Sequence, residues 1–271
     1  MRYYKWIYLF IYCFMLSACY IKLSGNEYCH TKVNGALRIV TYNMNWAGNH
    51  FSVTAPNRTL VVLEQINADI VLLQEVTPFW FRAVKSRLAK LYPYRAYKDD
   101  SNAGGMAYLS KYPVSDFKLA TPPVGWHHGL IMNVDSPLGL VQVLNLHLTP
   151  PLISKTNPNF SVVPYFSTCK ARQKEISFFY SHIKKDKPTI IAGDFNEGDN
   201  GFVSYFLNQH GFKDAQKKQR TYTWGWKVGF VYLKRRLDHI FYNHYFKLEH
   251  AQVIHEGDSD HFPVVVDLIR I

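Results

Sequence analysis

Cysteine is scarce in this chain: four residues in 271, with no C-x-x-C pair among them. No His-rich spacing compensates, so nothing points to zinc. Acidic side chains are also few, 20 against 31 Lys and Arg, for a net charge of +11. Internal repeats and low-complexity tracts are missing, which excludes a solenoid or a repetitive linker protein. The apolar stretch at residues 6–15 is too short to span a bilayer. What is present is ample core material: 48% of the residues are hydrophobic. That suits one layered domain of about 230–250 residues behind a short leader.

The leader has a basic start, Arg2 and Lys5, then the apolar stretch, then Leu16-Ser17-Ala18-Cys19. The tetrapeptide resembles a bacterial lipobox, in which cleavage precedes Cys19 and the thiol becomes lipidated. An ordinary signal peptide cut nearby is the alternative, and both imply export. The expected organisation is a signal peptide at 1–18, a lipidated tether at 19–36 and a domain at 37–271. Tyr20 rather than Asp after Cys19 favours the outer membrane of the cell envelope, by lipoprotein analogy. Of the remaining thiols, Cys29 and Cys169 could pair in an oxidising compartment, and the sequence leaves that open.

Apolar runs set out an α/β chain. Strands are expected at 37–44, 69–76, 106–110, 114–119, 130–134, 140–148, 189–192, 240–242, 248–254 and 264–269. Helices are expected at 56–68, at 77 to about 91 (Thr77 capping and Pro78 at the first position), at 170–184 as a basic amphipathic segment, and at 202–209. Residues 150–164, with four prolines, read as a loop.

Several strand ends carry the same chemistry. Gly193-Asp194-Phe195-Asn196, Leu237-Asp238-His239 and Ser259-Asp260-His261 each adjoin an apolar run. Glu75 ends the second strand, Asn43 the first, and Asn145 and His147 share one face of another. Carboxylates hold a hard divalent cation, amides donate to a developing oxyanion, and imidazoles exchange protons near neutral pH. Together these are the groups that phosphate-ester hydrolysis needs. Taken singly, each is a common turn or strand-end residue. Basic side chains cluster at 82–95, 170–187 and 213–236, the last interleaved with Tyr222, Trp224, Trp226, Phe230 and Tyr232. Such a segment suits a polyanion or an anionic lipid surface.

The ordered set Thr41-Tyr42-Asn43, Leu73-Gln74-Glu75-Val76, residues 105–114, Asn145-Leu146-His147, Gly193-Asp194-Phe195-Asn196, Arg236-Leu237-Asp238-His239-Ile240 and Ser259-Asp260-His261-Phe262-Pro263 resembles the endonuclease/exonuclease/phosphatase superfamily. The resemblance runs from about Leu37 to Leu268. It implies two packed β-sheets flanked by helices, and a Mg²⁺ (or Mn²⁺) ion held by Glu75, Asn43 and Asp260. It further implies that Asp194 orients the attacking water and that Asn196 donates to the phosphoryl oxygen. Asp238 would pair with His261, and His147 would contact the phosphate or protonate the leaving oxygen. Lys234, Arg235, Arg236 and Trp224 would grip substrate.

Two departures stand out. Residues 102–106 lack the glutamate of pancreatic deoxyribonuclease, and position 239 is His where many relatives have Tyr, which suits a supporting group. His127 and His128 fit either the rim of the site or the surface. The expected activity is phosphodiester cleavage of nucleic acid at the bacterial envelope. Alternatives are a phosphomonoesterase or phospholipid phosphodiesterase acting on inositol phosphates or sphingomyelin, or an inactive binding module. The membrane is met through the lipid anchor, and no segment marks a protein partner.

Overall fold

Two crossover units organise the chain. The computed structural model describes residues 29–45, 57–99, 104–151, 163–219, 221–228 and 230–271. In the first unit, β1 (Leu37–Asn43) leads through α1 (Asn57–Ile66) to β2 (Ile70–Val76), and the two strands run parallel. The Ile70-Val71-Leu72-Leu73 run is buried on both faces, as a central parallel strand must be. Thr77 then accepts from the Trp80 amide and Pro78 opens α2 (Pro78–Leu88), as the sequence predicts. The helix stops three residues earlier than expected. Tyr92 precedes Pro93, which disfavours helical backbone, and its amide closes onto the Leu88 carbonyl at 2.9 Å.

The antiparallel strands β3 (Tyr94–Lys98), β4 (Gly105–Ser110), β5 (Val114–Ala120) and β6 (Gly129–Ser136) follow. The second unit repeats the first: β7 (Gly139–His147), α3 (Val163–Ser181) and β8 (Thr189–Asp194), again parallel. Helix α3 begins seven residues before the expected start. Its buried face carries Arg172 and Glu175 beside Ile176 and Phe179, so it is not simply apolar within and basic without.

Next come α4 (Phe202–Gln209), the short β9 (Lys213–Asp214) and a ribbon of β10 (Trp224–Val228) and β11 (Val231–Arg235). The chain closes with β12 (Asp238–Tyr242), β13 (Phe246–Val253) and β14 (Val264–Arg270). Strands β3, β9, β10 and β11 were not foreseen. They are short and largely polar or exposed, and so carry little apolar signal.

Two six-stranded sheets result, β13-β14-β1-β2-β4-β3 and β5-β6-β7-β8-β12-β9. Between them lies one core, with Ile39, Leu72, Val143, Ile190 and Ile240 among its members. A second cluster packs the first sheet against α1 and α2, and a third packs the other sheet under α3 and α4. The four-layer α/β sandwich expected from the sequence is what forms. A polar bridge crosses the inner core below the strand ends. Gln74 Nε2 donates to Asn145 Oδ1 at 2.6 Å, and Asn145 donates to the Leu73 and Ala107 carbonyls at 3.1 Å each.

Part of the expected tether is docked. The His30 amide bonds Gln252, Lys32 pairs with Asp69 at 2.5 Å, and the Val33 amide donates to Asp267. Cys29 and Cys169 are both free thiols. Cys29 packs with the α1/α2 layer while Cys169 belongs to α3 over the other sheet, so the pairing left open by the sequence does not form. Cys19, the leader and most of 150–164 lie outside the described residues. Among the described residues, no helix is long and apolar enough to cross a membrane.

Candidate active site

Both parallel pairs deliver their C-terminal ends to one place. Register puts Asn43 beside Gln74, His147 beside Asp194, and Asp238 on the other side of Asp194. Gly193 makes the second arrangement possible. Its φ is +143°, and a Cβ there would overlap the Leu146 carbonyl oxygen, so only glycine lets β8 lie this close to β7. Glu75 and Asn196 both hold left-handed backbone, with φ of 53° and 50°. Non-glycine residues rarely do so, and such conformations gather at functional sites.

Asp194 Oδ2 is the centre of the constellation. It accepts from Asn43 Nδ2 at 2.9 Å and lies 3.6 Å from His147 Nε2 and 3.7 Å from His261 Nε2. Asn43 Nδ2 also reaches Glu75 Oε1 at 3.0 Å, and His147 Nε2 stands 3.6 Å from that same oxygen. On the far side His261 Nδ1 meets Asp238 Oδ2 at 2.8 Å, which fixes the ring as a carboxylate does for a working imidazole. Thr223 Oγ1 in turn accepts from the amides of Leu237 and Asp238, both at 2.9 Å. Ser259 ties the third motif in, donating to the Asn43 carbonyl and accepting from the His261 amide.

Electrostatics separate the groups. Burial pushes the Glu75 carboxyl up to about 7, and burial likewise raises Asp194. Burial would lower His261, but the charges of Asp238 and Asp194 and the hydrogen bond to Asp238 override it and lift the imidazole to about 10. His147 moves the other way, well below its ordinary value, through burial and the neighbouring His127 and His261. At neutral pH, His261 is therefore a charged donor and His147 a neutral ring.

Other expected residues are placed as follows. Asp260 Oδ2 accepts from the Trp224 indole at 2.8 Å, which brings β10 to the rim, and Trp224 also forms a β-bridge with His261. The Asn196 amide donates to the Leu148 carbonyl at 2.9 Å and to Asp194 Oδ2 at 3.4 Å, and its backbone N–H to Asp194 Oδ1, which ties it directly to Asp194.

Arg236 has its guanidinium bound to Asp199 and to the carbonyls of Gln216 and Gln219. Lys234 lies over the Tyr222 and Tyr232 rings at 4.4 and 5.1 Å, and Arg235 is exposed on the ribbon. His239 is wholly buried between Asp214 and the Glu197 carbonyl, the supporting role expected of it. His127 is buried too, stacked on His147, and His128 bonds Thr121. Thr223 and Glu175 gave no sequence signal, because a lone Thr in a loop and a lone Glu in a helix are ordinary.

The donor set fits a hard cation. Glu75, His147 and Asp194 offer ligand atoms within 4.8 Å of one another, as do Asp194, Asp238 and His261. Among the described residues the pairing partners of these carboxylates are imidazoles, with no Lys or Arg. Asp238 Oδ1 and Asp260 Oδ1 are buried without a hydrogen-bond partner. Buried acid in this state is costly unless a cation joins it. A third group, Asp199, Asp214 and His239, is already closed by Arg236.

The comparisons agree with this geometry. Residues 40–261 match the model of the endonuclease/exonuclease/phosphatase family, and the chain belongs to that family. Its members are hydrolytic phosphoesterases, typically dependent on divalent metal. The fold is similar to that of an endonuclease/exonuclease/phosphatase from Beutenbergia cavernae DSM 12333, at 18% identity and TM-score 0.67, covering 87% of this chain and 72% of that one. It is also similar to TDP2 from D. rerio complexed with a single strand DNA product, at 19% identity and TM-score 0.66, covering 87% and 99%. A family protein from Leptotrichia buccalis C-1013-b matches at 16% identity and TM-score 0.62, covering 86% and 99%. No curated protein matches the sequence.

Proposed function

We propose that this chain hydrolyses phosphodiesters of nucleic acid, with Mg²⁺ (or Mn²⁺) held by Glu75, Asn43 and Asp260. The observation that carries the reading is Asp194 Oδ2, buried between two imidazole Nε2 atoms at 3.6 and 3.7 Å and backed by Glu75. A divalent ion bound there supplies Lewis-acid polarisation of a phosphoryl oxygen and neutralises charge on the leaving group. Asp194 orients the attacking water and accepts a proton from it. The His261 imidazolium, held by Asp238, donates to the oxygen on which charge develops. Neutral His147 lines the other side of Asp194, in reach of the leaving oxygen.

Support for nucleic acid comes from the ribbon. Trp224 joins the ribbon to Asp260 and His261, Trp226, Tyr232, Lys234 and Arg235 follow along it, and the chain carries 31 basic against 20 acidic side chains. Stacking faces with interleaved cations suit an unpaired strand. One observation favours a second reading. Phe230 at the ribbon tip is fully exposed, with Trp226 and Val231 nearly half so, which suits a lipid surface and a phospholipid phosphodiester. We also propose export and attachment to the cell envelope through Cys19, on the strength of the leader and its Leu-Ser-Ala-Cys sequence.

Purified protein should be assayed with Mg²⁺ and with EDTA on single-stranded oligonucleotide, plasmid, sphingomyelin vesicles and bis(p-nitrophenyl) phosphate. Cleavage of oligonucleotide that EDTA stops is the expected result. Cleavage of vesicle lipid alone would move the second reading ahead, and full turnover in EDTA would remove the metal from the account.

A further inference from the structure

His147 needs a fixed ring plane if its Nε2 is to face Asp194 and Glu75 productively. Its contacts with them, 3.6 Å each, are too long for hydrogen bonds and do not lock the ring. The terminal torsion of a histidine is broad, so whatever packs on the faces of the imidazole must set it. His127 does this. Its ring lies parallel to that of His147, with centroids 3.9 Å apart and planes 6° apart, and both side chains are buried.

The loop that carries His127 is held from beneath by a buried carboxyl that hydrolysis does not use. Glu175 on α3 is wholly buried and accepts from the amide and hydroxyl of Thr149, at 3.1 and 2.9 Å. Thr149 lies two residues beyond His147. The backbone of Trp126 also hydrogen-bonds Glu175. Gly125, at φ +99°, rests directly on the carboxylate, where any Cβ would overlap Oε1. Arg172, one turn earlier on α3, donates to the Thr149 carbonyl at 3.0 Å and pairs with Glu197 at 3.6 Å, next to Asn196. One helix thus clamps the His127 loop, the end of β7 and the Asn196 loop.

We propose that His127 is a positioning residue whose ring face sets the plane of His147, and that Glu175, seated under Gly125, holds it there. This rests on the reading that His147 serves phosphodiester hydrolysis, so the test needs one readout that does not depend on turnover. The variants are His127→Ala, His127→Phe and Gly125→Ala. Each is compared with the full chain for Mg²⁺-dependent hydrolysis of bis(p-nitrophenyl) phosphate and for the ring carbon–proton NMR signals of His147.

Loss of the stack should lower kcat about tenfold with KM changed less than about twofold, because the ring is misaimed rather than the substrate released. Phenylalanine, which keeps a flat face, should restore kcat to within about threefold. The His147 signals should shift in His127→Ala and return towards the wild-type position in His127→Phe. Gly125→Ala, which touches neither imidazole, should reproduce the His127→Ala shift in a protein with unchanged circular dichroism. An alanine variant with wild-type kcat and unmoved signals would overturn the proposal. So would a phenylalanine variant as impaired as alanine, which would make the ring nitrogen rather than its face the working part. If wild-type protein hydrolyses nothing, the functional reading fails, while the NMR shifts still decide whether His127 positions His147.

Discussion

The two ends of the sandwich each gather buried carboxylates, and they treat them in opposite ways. At the start of β1, Asp267 meets Arg38 through two hydrogen bonds, at 2.7 and 2.8 Å. Asp69 beside it takes Lys32 at 2.5 Å and the Arg38 amide at 2.7 Å. Every charge there is answered by a fixed cation of the chain itself. At the far end, where β1 and β2 meet β8 and β12 of the other sheet, Glu75, Asp194, Asp238 and Asp260 have imidazoles, amides and an indole for neighbours. A fold that closes one acidic cluster with guanidinium and ammonium groups leaves the other open to an ion from solution. The first end holds the fold, and the second holds strain that a ligand relieves.

Substitution at each end should separate the two most widely. Glu75→Gln should lower turnover by about 10³-fold or more, as removal of a group acting within a catalytic unit does. Its melting temperature without metal should stay level or rise, since a costly buried acid is gone. Asp267→Asn should instead destabilise by about 3–5 kcal/mol by stranding the Arg38 charge, with turnover per folded molecule unchanged. Urea unfolding and active-site-normalised kinetics measure both. If the two variants lost stability alike, the contrast between the ends would collapse.

Metal should stabilise only through the open end. Excess Mg²⁺ at about 100 times its dissociation constant adds about 2.7 kcal/mol, and that gain should vanish in Glu75→Gln. The sign with pH follows from Glu75. Its carboxyl rises to about 7, so the folded apo protein holds a proton there that a cation must displace. Mg²⁺ affinity should therefore fall as pH drops through about 7, with proton release on binding, both readable by calorimetry in two buffers. Without metal, the same group costs stability as pH climbs from its ordinary 4.5 towards 7.

The His261–Asp238 pair has its own window. The imidazole is raised from 6.5 to about 10, so the pair contributes fully below 6.5 and is lost as pH rises through about 10. Asp238→Asn should flatten the fall of stability between those values and bring down the alkaline limb of the activity profile. An unchanged alkaline limb would mean that His261 does not carry the charge assigned to it.

Most of the open end was legible in the sequence, because its residues stand at the ends of strands whose apolar runs are unmistakable. Glu75 follows Ile70-Val71-Leu72-Leu73, and Asp194 follows the run beginning at Thr189. The closed end was not legible, since Arg38, Asp69 and Asp267 are far apart in sequence and none belongs to a motif. The same holds for Glu175 and His127, which depend on where a helix and a loop are packed. What Arg236 and Asn196 touch was hidden for a related reason. Residue type shows what a side chain can bind, but the competing acceptors, Asp199 for one and Leu148 for the other, appear only when the chain is folded.

The smallest effect should come from the ribbon, where the open end meets solvent. Lys234 and Arg235 stand on it, while Arg236 is bound into the structure below it. Lys234→Gln with Arg235→Gln should weaken oligonucleotide binding and lower the slope of log affinity against log salt by about one unit for each phosphate no longer neutralised. Hydrolysis of bis(p-nitrophenyl) phosphate should hardly change, because that molecule has a single phosphate and no further backbone for Lys234 and Arg235 to neutralise. Arg236→Gln should do the reverse, costing stability by freeing Asp199 and two carbonyls while leaving the salt slope alone. Fluorescence anisotropy at several salt concentrations, beside thermal melts, distinguishes the two. An unchanged salt slope in the double variant would detach the ribbon from nucleic acid. The exposed Phe230 tip would then be better explained by a lipid surface, and vesicle binding by Phe230→Ser would become the deciding measurement.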